Sequence, residues 1–155
     1  MEEVSLFVAA TVKGPRRQAG AVMYVLAVET KKGTVTREGT IVREDATENG
    51  LTLEALEAAL GRLTRPVNLT IWTDSEYVGG AVANGWPEGW EKAGWQTTKG
   101  KPVKDAEKWA SVLGRIRDCE VSVRIRERHE YSRWMEDQLK KVQIAPVQQK
   151  EEKNV

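Results

Sequence analysis

Cysteine, histidine, long apolar runs and an excess of either charge are what this chain lacks. Its single cysteine, Cys119, excludes an internal disulfide and fits a reducing compartment. No stretch reaches the roughly 18 consecutive apolar residues of a membrane-spanning helix. The charged start, Met1-Glu2-Glu3, does not read as a signal peptide, and a cytoplasmic location is expected. Lys and Arg number 24 against 23 Asp and Glu, a net charge of +1. No global field therefore draws nucleic acid, and any attraction has to come from local patches. No internal repeat is visible. The 155 residues are 40% hydrophobic and 30% charged, which predicts one globular domain with a real core.

Val4 to Val12 alternates, with Val4, Leu6 and Val8 against Ser5, Phe7 and Ala9, and predicts a strand. After the turn Lys13-Gly14-Pro15-Arg16-Arg17, Gly20 to Glu29 is a second, strongly apolar strand. Lys31-Lys32-Gly33 turns the chain back into a third, Thr34 to Val42. Arg43 to Asn49 reads as a polar connector. Leu51 to Leu63 predicts a helix with Leu53, Leu56, Leu60 and Leu63 on one face, capped by Asn49 or Thr52 and ended by Thr64-Arg65-Pro66. Val67 to Thr73 is strand four. Glu76 to Asn84 is a helix despite Gly79-Gly80, each of which costs about 1 kcal/mol against Ala. Lys104 to Ile116 is a further helix, Val121 to Ile125 a fifth strand and Ser132 to Val142 a last helix. The sequence from 143 to 155 has little to bury and is expected to be a disordered tail, which leaves 1–142 as the domain. A meander followed by βαβ crossovers predicts an α/β fold, a five-stranded mixed sheet with helices on both faces.

The chain is organised around Leu69-Thr70-Ile71-Trp72-Thr73-Asp74-Ser75-Glu76-Tyr77-Val78. An apolar strand ends in Thr-Asp-Ser and passes into a helix, delivering one carboxylate to the carboxyl end of the sheet, where α/β proteins bind ligands. A plain helix cap at Asp74 or Ser75 is the alternative reading. Next come Asn84-Gly85-Trp86, Trp90, Gly94-Trp95, Lys101-Pro102-Val103-Lys104 and Trp109. This order resembles type 1 ribonuclease H, the family that cuts the RNA strand of RNA–DNA hybrids. The match is close from Leu69 to Trp109 and looser over residues 4 to 141. In that family a strand ends in Thr-Asp-Ser-x-Tyr-Val and is followed by a Trp- and Lys-rich protrusion, here residues 84–109. The resemblance implies the ribonuclease H-like fold and a hydrolase site.

It also implies two Mg²⁺ ions, or Mn²⁺, held about 3.5–4 Å apart by four carboxylates, one ion activating water and the other steadying the leaving oxygen. Asp74 matches the strand-four aspartate. Asp137, in Glu136-Asp137-Gln138-Leu139, resembles the last-helix aspartate; Glu136 competes with it, and a solvated helix carboxylate is the alternative. The other two acids are missing from their places. Where an active first strand reads Thr-Asp-Gly-Ser, this chain reads Val8-Ala9-Ala10-Thr11, so Ala9 stands in for an aspartate. Ungapped spacing back from Asp74 puts the helix glutamate on Thr52. Glu54, two residues on, points about 200° away around the helix, and Glu48 lies just before the expected helix. Glu48, Glu54 and Glu136 are the candidate substitutes. With two carboxylates of four, hybrid cleavage is expected to be weak or lost. His129, the one histidine, stands in Arg128-His129-Glu130, near where the family carries a mobile histidine that assists proton transfer; an exposed loop histidine is the alternative.

In the protrusion, Lys92, Lys99, Lys101 and Lys104 are candidates to meet backbone phosphates, diluted by Glu88, Glu91, Asp105 and Glu107, so weak and salt-sensitive binding is expected. Its tryptophans are expected to pack its helices together, with Trp86 the candidate nucleic-acid contact. Thr47 and Asn49 match family positions that hold a phosphate at a helix start. Arg16 and Arg17 add cations on the site side, and Arg124, Arg126 and Arg128 alternate as a basic stripe. Three functions follow as expectations: a protein that binds RNA–DNA hybrid or other double-stranded nucleic acid with impaired cleavage, a working metal-dependent endonuclease using substitute acids, or a protein-interaction module.

Overall fold

The computed structural model describes residues 1–144. In chain order these form β1 (Glu3–Ala10), β2 (Gln18–Thr30), β3 (Gly33–Ala46), α1 (Glu48–Leu60), β4 (Asn68–Thr73), α2 (Glu76–Asn84), α3 (Trp86–Lys92), α4 (Ala106–Ile116), β5 (Glu120–Ile125) and α5 (Ser132–Lys140). The strands make one mixed sheet in the order β3-β2-β1-β4-β5. β1, β2 and β3 pair antiparallel, and β4 joins β1 and β5 in parallel. The meander and the crossovers read from the sequence are both present.

Strand alternation sorts the side chains. Val4, Leu6, Val8 and Ala10 of β1 share a cluster with Leu69 and Ile71 of β4, and α1, α2 and α4 cover that face with Leu51, Leu53, Leu56, Val78, Trp109 and Val112. Phe7, Met23 and Val25 point the other way, where α5 seals them with Met135 and Leu139. Each buried Val, Leu, Ile, Phe or Met among them contributes roughly 1.5–3 kcal/mol by leaving water.

Several boundaries differ from the sequence reading. β3 runs on to Ala46, with Arg43 opposite Gly20 and Ala46 opposite Gln18, so Arg43 to Ala46 of the expected polar connector are strand. It is an edge strand whose side chains are mostly exposed, and pairing with β2 satisfies its backbone whatever their polarity. α1 starts at Glu48 because Thr47 is its cap, the Thr47 hydroxyl accepting from Gly50 N at 3.1 Å; neither Asn49 nor Thr52 caps it. α1 ends at Leu60, and Leu63 packs from the following turn. Gly79 weakens α2 as a helix but is required for packing: a Cβ there would stand 2.8 Å from Ile125 Cγ1 and 3.2 Å from Thr73 Cγ2. α3 is a short helix that breaker residues hide in the sequence; Gly85, left-handed at φ 70°, ends α2, and Pro87 sits in the first turn of α3. Val142 and Ile144 pack on the α5 side of the sheet, Ile144 two residues past the expected domain boundary. The rest of the expected tail, 145–155, lies outside the described residues.

Candidate functional site

β1 and β4 run parallel with Phe7 opposite Trp72, so the segments that leave them emerge side by side at the carboxyl edge of the sheet. Asp74 is the first residue after β4. It does not cap α2: Ser75 does, its hydroxyl accepting from Val78 N at 3.1 Å and donating to Asn49 Oδ1 at 2.8 Å. The Asp74 carboxylate is thereby left free of the helix and half exposed, and it opens on a cavity of about 250 Å³. Ala9 and Ala10 of β1 and Trp72 and Thr73 of β4 form the cavity floor. Lys13 and Asp74 stand on one side, Arg126–His129 on another, and Ser132, Met135, Glu136 and Leu139 of α5 close it.

Of the sequence candidates, the structure brings Asp74, His129 and Glu136 to this cavity, with Ala9 in its floor. Asp137 is not among them. Met135 and Leu139, buried one turn apart, fix the rotation of α5; Glu136 then borders the cavity while Asp137 is exposed elsewhere on the helix. Thr52 is sealed in the core at 2% exposure and its hydroxyl donates to Glu48 O at 2.8 Å. Glu48 accepts from Gly14 N at 2.9 Å, holding the β1–β2 turn against the start of α1. Glu54 is held by Arg43 at 3.0 Å, across on β3.

Lys13, Arg126 and Arg128 line the cavity. The two arginines belong to the stripe read from the sequence, whereas Lys13 was not singled out; the available signal was its place three residues past the carboxyl end of β1. Lys13 Nζ stands 3.3 Å from Asp74 Oδ2. Arg128 pairs with Glu136, and Arg126 Nη1 lies 3.0 Å from Glu76 Oε1. The expected basic stripe is broken: β5 ends at Ile125, Arg126 turns at φ 56°, and Arg124 stacks over Trp72 with its Nη1 3.7 Å from Glu127 Oε1.

His129 is no free loop histidine. Its ring lies 4.3 Å from Phe7 and 5.5 Å from Trp72, and its Nδ1 accepts from Tyr131 N at 3.2 Å. A neutral ring accepting at Nδ1 carries its proton on Nε2. Burial pushes the imidazole below its ordinary range; Asp74 pulls it up, Arg128 pushes it further down and Glu136 pulls it up.

A pair of divalent ions does not fit these residues. Ala9 offers a methyl, Thr52 turns inward, and the Asp74 and Glu136 carboxylates already face Lys13 and Arg128. Among the described residues no group of three or more His, Cys, Asp or Glu is placed to hold a metal.

Beside the cavity, Asn49 and Thr47 lie at the start of α1, Thr47 buried. The protrusion is built on tryptophan packing. Trp109 is fully buried, its ring 5.3 Å from Trp90 and 6.4 Å from Tyr77. Trp86 lies 45% exposed at the edge of this stack. The segment after α3 closes on itself through Thr97 N to Lys101 O at 2.7 Å and Val103 N to Trp95 O at 2.9 Å. Lys92, Lys99, Lys101 and Lys104 are all exposed, and none is drawn into an ion pair among the described residues.

A mixed β3-β2-β1-β4-β5 sheet with a carboxylate at the end of β4 and a tryptophan-packed protrusion after it defines a ribonuclease H-like protein. A family model described as RNase H matches residues 2–141, and the chain belongs to that family. The ribonuclease H of Acidovorax sp. (strain JS42) is 40% identical over 83 residues, 50% of this chain and 55% of the relative. That of Paracoccus denitrificans (strain Pd 1222) is 46% identical over 65 residues, 42% of this chain and 41% of the relative. The chain spans about half the length of the curated relatives it matches. Among solved structures, LC9-RNase H1, a type 1 RNase H with the type 2 active-site motif, aligns with TM-score 0.70 at 17% identity, over 88% of this chain and 70% of that one. LC11-RNase H1 in complex with RNA/DNA hybrid aligns at 0.53 and 14% identity, over 85% and 92%. At such identities the likeness establishes the fold.

Proposed function

We propose that this chain binds RNA–DNA hybrid, or another double-stranded nucleic acid, and that its cleavage of the ribo-strand is impaired or lost. The observation that carries this reading is the cavity floor. Ala9 presents a methyl beside Asp74, where metal-dependent phosphodiester chemistry requires converging carboxylates. Binding is supported by the four unpaired protrusion lysines, by Trp86, and by the donors at the start of α1, features that engage a phosphate backbone without reading bases. Mg²⁺ or Mn²⁺ is the ion to test, and Asp74 with Glu136 the pair that borders the cavity. His129, the cavity's one imidazole, held below its ordinary range by burial and with Nδ1 accepting from Tyr131 N, is the group for proton exchange. No helix among the described residues is long and apolar enough to cross a membrane, and the single thiol, Cys119, fits the cytoplasm.

Fluorescence anisotropy with a labelled hybrid tests this. Affinity is expected to fall steeply with salt and to be weaker for single strands. No binding at low salt would overturn the reading in favour of an interaction module.

A further inference from the structure

The carboxylates around the cavity share a property: each already meets a cation or donor of its own chain. Lys13 stands on Asp74 at 3.3 Å, Arg128 on Glu136, Arg126 on Glu76 at 3.0 Å and Arg124 on Glu127 at 3.7 Å, while Glu48 takes the Gly14 amide at 2.9 Å. The lining is balanced, with Lys13, Arg126 and Arg128 against Asp74, Glu127 and Glu136. A cluster of uncompensated carboxylates demands divalent ions; a balanced one does not.

Lys13 matters most because of where it stands. It follows the strand that carries Ala9, and its ammonium meets the one acid placed by the end of β4. A divalent ion approaching Asp74 would meet that positive charge and have to displace it. A phosphate oxygen would instead find an ammonium with spare N–H donors, since the group has three and Asp74 takes one. Both side chains are about half exposed, so the pair can open to an arriving anion.

Resting on the hybrid-binding reading above, we infer that Lys13 is a tethered cation at the position where the family's chemistry puts a divalent ion, so that this site takes a backbone phosphate without metal. The sequence change from carboxylate to Ala9 and the placement of Lys13 are then two halves of one substitution. The first removes charge that metals would neutralise, and the second neutralises what is left.

Two measurements test it. The first uses no nucleic acid: Mn²⁺ is titrated into isotope-labelled protein and the paramagnetic broadening of the Gly14 and His129 amides is followed. The wild type is expected to show no saturable broadening below about 10 mM Mn²⁺, weaker than ordinary carboxylate sites. Lys13→Met, which keeps the stem and removes the charge, is expected to show it, and Lys13→Arg to behave as wild type. An equal response from wild type and Lys13→Met, whether both broaden or neither does, overturns the inference.

The second is hybrid affinity by anisotropy at matched ionic strength, in EDTA and in Mg²⁺ or Mn²⁺. The wild type is expected to bind equally in all three. Lys13→Met is expected to bind about fivefold more weakly in EDTA, with a salt slope shallower by about one, and to regain affinity with Mn²⁺. Wild-type binding that depends on metal, or Lys13→Met binding that matches wild type in EDTA, overturns it. Loss of hybrid binding in every buffer would instead remove the proposed function, and the Mn²⁺ comparison would still decide the role of Lys13.

Discussion

Ser75 and Asn49 join the two helix starts that flank the cavity: the Ser75 hydroxyl donates to Asn49 Oδ1 at 2.8 Å while accepting from Val78 N at 3.1 Å. One buried oxygen thus caps α2 and ties it to α1. Ser75→Ala removes the cap and strands the Asn49 oxygen, which predicts a loss of about 1–3 kcal/mol in urea unfolding. A change below about 0.5 kcal/mol, the level of an ordinary surface substitution, would show that the hydroxyl does neither job.

Restoring acids at positions 9 and 52 is expected to create or raise metal-dependent cleavage. Ala9→Asp is the cleaner half, because Ala9 already borders the cavity beside Asp74. Thr52→Glu buries a carboxylate where the side chain is 2% exposed, so in EDTA it is expected to cost at least about 2 kcal/mol of stability. Activity of the double variant, read on a labelled hybrid with Mn²⁺, checks the assignment; no gain counts against placing those two positions in the site.

His129 predicts a pH dependence of stability. Its folded pKa lies below the ordinary 6.5, so the folded protein favours the neutral ring. Above about pH 6.5 the ring is neutral in both states and the contribution is whole. As pH falls through 6.5 the unfolded chain takes up the proton first, and stability drops until the folded ring also protonates. The denaturant midpoint should therefore fall between pH 7.5 and pH 5. That part of the fall should vanish in His129→Phe, which keeps the stacking on Phe7 and Trp72 and removes the titration. An unchanged pH profile in the variant would place the titrating group elsewhere.

The tryptophans divide by burial. Trp109→Ala empties a fully buried site and is expected to cost about 3–5 kcal/mol, measured by thermal unfolding. Trp86→Ala, at 45% exposure, is expected to cost well under that and to weaken hybrid affinity severalfold, as loss of an aromatic contact does. The reverse pattern would make Trp86 a packing residue and remove it from the interface.

What the sequence displays well is local and repetitive. Leu69 and Ile71 alternate against Thr70 and Trp72, and β4 with its trailing Asp74 lies where that pattern predicts. The protrusion was legible through the family resemblance that its tryptophan order carries, and Trp90 and Trp109 pack together within it. The polar end of β3, Arg43 to Asp45, was illegible because an edge strand needs pairing and not burial. The break after Ile125 was equally hidden, since no glycine marks the left-handed turn at Arg126. On α5, which of Glu136 and Asp137 borders the cavity depends on a rotation set by Met135 and Leu139 against a face they share with Phe7, a contact across the whole chain. Lys13 and Asp74 are 61 residues apart, and only the parallel pairing of β1 and β4 brings their neighbourhoods together. That Ala9 and Thr52 stand where the family is expected to carry acids could be read by resemblance; the pairing of Lys13 with Asp74 could not.

Incubating purified protein with a hybrid labelled on its ribo-strand, in Mg²⁺ and separately in Mn²⁺, tests the central claim most directly when run beside Asp74→Asn. A site short of converging carboxylates and already neutralised by its own lysine and arginines should cut no faster than that variant in either metal. Metal-dependent cleavage of the ribo-strand that Asp74→Asn abolishes would contradict the account.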